Sequence, residues 1–104
     1  MSEPLLSEPL LTVVAEMTAQ PGKADELRAA LMACIEPTRA EAGCVDYILH
    51  ESTDTPGQFV FYENWVSAEA LAVHAKSPHL VKLGAQVPEL VAGTPRILTY
   101  RRIA

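Results

Sequence analysis

The stretch CVDYILHESTDTPGQFVFYENWV, residues 44–66, decides the fold. Two runs rich in β-branched and aromatic residues, CVDYILHES (44–52) and FVFYENWV (59–66), flank DTPGQ (54–58). Pro56 and Gly57 are turn chemistry, so the pattern predicts an antiparallel hairpin with a longer loop. Alternation places Phe59, Phe61, Glu63 and Trp65 on one face of the second run, with Val60, Tyr62, Asn64 and Val66 on the other. The first run divides into Cys44, Asp46, Ile48 and His50 against Val45, Tyr47, Leu49 and Glu51.

A helical pattern lies on either side of this hairpin. Upstream, Leu27, Ala30, Leu31, Cys34, Ile35 and Thr38 recur at helical spacing, and Asp25 and Glu26 suit the first turn of a helix starting near Lys23. Pro37 should kink that helix, because it removes a donor and crowds the preceding turn, and Gly43 is the expected terminator. Downstream, Ser67 is an N-cap candidate for AEALAVHAK. Ser77-Pro78 restarts a helix whose face is Leu80, Leu83, Gly84 and Val87, with Pro88 as its limit. LLTVVAEMTA (10–19) and TPRILTYRRI (94–103) read as outer strands. The order β-α-β-β-α-β is the ferredoxin-like arrangement of the α+β class: a four-stranded antiparallel sheet with helices on one face.

Helices cover one face of such a sheet, yet both faces here carry large apolar side chains. Each one left wet forgoes roughly 1.5–3 kcal/mol. A second sheet should therefore cover the open face, and a two-fold homodimer is the simplest closure. The first eleven residues repeat SEPLL in tandem, at 2–6 and 7–11. Pro4 and Pro9 disfavour regular structure, so residues 1–9 are expected to be a mobile arm ahead of a single domain, 10–104.

Composition removes several function classes. The formal net charge of −5 argues against a nucleic-acid partner. No apolar run reaches the length of a membrane span and none resembles a signal peptide, so the cytoplasm is the expected location, with Cys34 and Cys44 reduced. The two cysteines fit no zinc pattern. His74 and His79 stand five apart across Pro78, off a common helical face, so no metal site is expected.

The chemistry-bearing candidates sit where the third strand meets the following helix. Ala70 and Leu71 place His74 on the apolar side of that helix, close to Trp65. Glu63 is an acid within an aromatic face and needs a partner or a pocket. His74 is then either a staple between helix and sheet or an imidazole with a tunable proton oriented by Glu63. Trp65 and Phe61 are either core or a flat wall for an aromatic ligand, and Tyr47 is core with its hydroxyl at a rim.

FVFYENWVSAEALAVHAKSPH (59–79), with PGK (21–23) and RAEAGCVDY (39–47), resembles the antibiotic biosynthesis monooxygenase family over about residues 10–103. The resemblance implies a dimeric α+β barrel. It also implies a monooxygenase without metal, flavin or haem, oxidising a hydroquinone or polycyclic phenol with molecular oxygen through the deprotonated ring. Carried over by position, His74 would handle the proton with Glu63 orienting it, and Trp65, Phe61 and Tyr47 would line the ring pocket. Haem-degrading relatives place an asparagine on the first strand, and residues 10–19 contain none. Two further expectations stand beside oxidation: a non-oxidative isomerase acting on a small metabolite, and a ligand-binding dimer without catalysis.

Overall fold

The structure is a computed structural model, and it describes residues 10–104. The arm expected over residues 1–9 lies outside the described residues. Strand β1 (Leu11–Thr18) is followed by helices α1 (Ala24–Met32) and α2 (Ile35–Arg39). The hairpin is β2 (Cys44–Glu51) and β3 (Gln58–Trp65). Helices α3 (Ala68–Ala75) and α4 (Pro78–Leu90) lead to β4 (Arg96–Arg101). All pairings are antiparallel, in the order β2-β3-β1-β4. This is the ferredoxin-like α+β arrangement, with each helical layer element broken in two.

Each break has a local cause. Pro37 has no N–H for the carbonyl of Ala33, and the helix parts one turn ahead of it, between Met32 and Ile35. Ser67 caps α3 by accepting the Ala70 N–H at 3.1 Å. Ser77 both ends α3, donating its hydroxyl to the His74 carbonyl at 2.7 Å, and caps α4, accepting from the Leu80 N–H at 3.4 Å. Pro88 does not limit α4, which runs on to Leu90. The missing N–H falls opposite the carbonyl of Gly84, and Gly84 is exposed rather than on the inward face, so solvent serves that carbonyl.

The hairpin forms as its turn residues require. Gly57 adopts φ 88°, a left-handed conformation that suits glycine, and its N–H donates to the Glu51 carboxylate at 3.0 Å. A register shift between Cys44 and Asp46 makes a β-bulge at the start of β2. The extra residue turns Cys44 onto the helix-covered side with Tyr47, although simple alternation separates the two. Arg39 secures this corner, donating Nε and Nη2 to the Tyr47 carbonyl at 3.1 and 3.0 Å. Gly43 does not terminate a helix. It sits beyond α2, where a Cβ would collide with the Ala70 side chain, so it permits close approach of α3 to the β2 corner.

The core lies between sheet and helices. Val13, Ala15, Met17, Phe59, Phe61, Trp65 and Tyr47 come from the sheet, and Leu27, Leu31, Cys34 and Leu83 from the helices. The opposite face of the sheet carries Ile48, Tyr62 and Tyr100, which are 40%, 42% and 50% exposed, beside Val14, Val60 and Leu98. Across it runs a polar thread: Thr12 donates to Asn64, and Asn64 Nδ2 donates to Asp46 at 3.0 Å. Among the described residues, no helix is long and apolar enough to cross a membrane.

Candidate active site

The break between α3 and α4 builds the site. His74 closes α3 and His79 opens α4, and the Ser77-Pro78 corner between them turns both imidazoles toward one carboxylate. Glu41, in the loop ahead of β2, receives both: His74 Nδ1 and His79 Nε2 each lie 2.8 Å from its Oε2. Ser77 Oγ adds a contact of 3.2 Å to His79 Nε2. The two histidines thus converge although they share no helical face. The face argument fails because the chain changes direction between them.

His74 is buried, and its ring lies 4.5 Å from the Trp65 ring and 5.5 Å, edge-on, from that of Tyr47. Burial lowers its pKa below the usual imidazole range, against the opposing pull of Glu41. The neutral ring donates Nδ1–H to Glu41, which leaves the Nε2 lone pair as its basic atom.

Glu63 does not reach His74. Its Oε1 accepts the Trp65 indole N–H at 2.9 Å, between residues two apart on the same face of β3. Burial raises its pKa to about 7; the indole bond works against that rise, and the charge of Glu41 adds to it. Glu63 therefore holds Trp65, and Trp65 backs His74.

The expected ring-lining side chains are packed. Tyr47, Phe61 and Trp65 are 2%, 1% and 0% exposed, with Tyr47 stacked on Phe61 at 4.2 Å. Burial raises the Tyr47 pKa, so its hydroxyl stays protonated. The open space lies elsewhere, in a groove of about 700 Å3 between α1 and α4, lined by Ala30, Ala33, Cys34, His79, Lys82 and Leu83 among others. A shallower depression of about 340 Å3, walled by Gly43, Val66, Ala70 and Val73, reaches Glu41 from the other side. The cluster stands between the two openings.

The sequence pointed to His74, Glu63 and Trp65, and the structure gathers these three in one neighbourhood. It adds Glu41 and His79. A signal for them existed: a buried imidazole needs a polar partner, and a Ser-Pro corner redirects whatever follows it.

Fold and site together define a ferredoxin-like α+β protein with a buried His–carboxylate–His cluster beside an interhelical groove. The chain belongs to the antibiotic biosynthesis monooxygenase family, whose model matches residues 10–85. It is similar to Rv0793 of Mycobacterium tuberculosis, provisionally named a monooxygenase, with 44% identity over 81 residues, 78% of this chain and 79% of that protein. The solved structure of Rv0793 matches with a TM-score of 0.87 and 38% identity, over 91% of this chain and 96% of that one. PA3566 from Pseudomonas aeruginosa matches with a TM-score of 0.89 and 33% identity, over 93% of this chain and 97% of that one.

Proposed function

We propose that this chain is a homodimeric monooxygenase that oxidises a hydroquinone or polycyclic phenol with molecular oxygen, the reaction resting on removal of a phenolic proton. The supporting observation is the Glu41 carboxylate holding two imidazoles at 2.8 Å, one of them lining a groove large enough for an aromatic ring. Family membership supplies the reaction class.

On this proposal the ring enters the groove between α1 and α4 and presents its hydroxyl to the cluster. His79 faces the groove and takes the proton. Glu41 pairs the imidazolium, and His74, bound to the same oxygen, is the second imidazole over which the proton can spread. Trp65 and Glu63 fix His74 from behind, and Phe61 and Tyr47 support that wall. The electron-rich anion then reduces oxygen. One oxygen atom enters the substrate, and the other leaves as water with two hydrogens lost by the substrate.

The test is oxygen uptake with a panel of reduced quinones and polycyclic phenols. One oxygen consumed per product, with a loss on the order of 10²-fold in His79→Ala and His74→Ala, is the expected result. Turnover that persists without oxygen would point to an isomerase. Quenching of Trp65 fluorescence by a ligand, with no product formed, would point to a binding dimer.

A further inference from the structure

We propose that Glu41, His74 and His79 also form a binding site for one divalent transition-metal ion of the zinc class per chain. Three donor atoms from three separate parts of the chain, His74 Nδ1, His79 Nε2 and a Glu41 carboxylate oxygen, lie within 4.8 Å of one another. Two imidazoles and a carboxylate are a donor set that suits zinc, and three protein ligands leave a fourth position for solvent. The side chains are largely buried, with 6%, 14% and 18% exposure for His74, Glu41 and His79, so their positions are held before an ion arrives.

The carboxylate adds an independent indication. Glu41 Oε1 is buried, and among the described residues it has no hydrogen-bond partner. A buried carboxylate oxygen left this way is costly, and coordination by a cation would satisfy it. Metal–donor bonds of about 2.0–2.1 Å in a tetrahedron put donors roughly 3.3 Å apart. The two contacts of 2.8 Å would therefore open by about half an ångström. His79, at the groove, is the side chain with room to move. Each imidazole would turn its lone pair to the metal and carry its proton on the other ring nitrogen, His74 on Nε2 and His79 on Nδ1.

Occupied, the site has no imidazole lone pair left for a substrate proton, so the ion would silence the oxidation. That consequence rests on the proposed function; the binding does not. The shallow depression beside Glu41 and the groove beside His79 give the ion two approaches.

The experiment titrates zinc and cobalt into the full chain after chelator treatment, followed by calorimetry and, for cobalt, visible absorption. One ion per chain is expected, with cobalt d–d bands and no thiolate charge-transfer band. Affinity should fall at least about tenfold in His79→Ala and in Glu41→Gln, and stay unchanged in Cys44→Ser. No binding by the unmodified chain would overturn the proposal, as would binding unaffected by His79→Ala, a thiolate band, or loss of binding in Cys44→Ser. The measurement on the unmodified chain stands even if Glu41→Gln fails to fold. Zinc binding without any oxygen-consuming activity would overturn the functional proposal alone; activity without zinc binding would overturn this one alone.

Discussion

Glu41 is the residue on which the site turns. A carboxylate that accepts from two imidazoles fixes both rings and their tautomers, work that a neutral amide does less strongly. Glu41→Gln should lower turnover by about 10–100-fold with little change in KM, as steady-state kinetics would show, because it leaves the groove intact. Glu63 makes a second, independent prediction. Its pKa is raised from 4.5 to about 7 in the folded chain, so between those values the folded state keeps a proton that the unfolded chain has lost. Stability therefore falls as pH rises through that window. Its burial weighs fully against the fold above pH 7, by about 3 kcal/mol. Glu63→Gln should flatten the loss between pH 5 and 8 in denaturant titrations and raise stability at pH 8; an unchanged profile would contradict the burial of an ionisable group there. Neither Glu41 pairing was legible in the sequence. Glu41 lies 33 and 38 residues from its partners, and periodicity reports which face a residue takes, not which distant loop arrives beside it.

At the scale of elements, the strongest local signals were legible because each has a local physical cause. The Pro-Gly turn, the Ser67 cap and the Ser77-Pro78 restart all appear where backbone chemistry demands them. The β2 bulge was not legible, since one inserted residue leaves the strand's composition unchanged while moving Cys44 to the other face. Gly43 was read as a helix stop, yet its constraint is spatial: the Ala70 side chain occupies the place of a Cβ. Gly43→Ala should thus push α3 away from the β2 corner and cost about 1–3 kcal/mol, seen as a lower denaturant midpoint. It should also loosen Glu41, two residues away, and so lower turnover.

For the whole molecule, the uncovered sheet face is the dominant feature. Ile48, Tyr62 and Tyr100 lie 40–50% exposed there in a single chain, around the polar thread of Thr12, Asn64 and Asp46. The alternation that exposed this imbalance was read directly from the strands, so the need for a covering partner was legible even though its geometry was not. Sedimentation of the full chain at micromolar concentration should give a dimer, and Tyr62→Asp, placing a charge at the centre of the face, should give a monomer. A monomeric unmodified chain would contradict the proposed dimer.

The most direct test joins these scales in one assay: oxygen consumption by the purified chain with a reduced quinone or polycyclic phenol, in unmodified protein and in His79→Ala. Stoichiometric uptake that falls on the order of 10²-fold in the variant is the expected result. Uptake that is absent across the panel, or equal in both proteins, would contradict proton removal by the Glu41–histidine cluster.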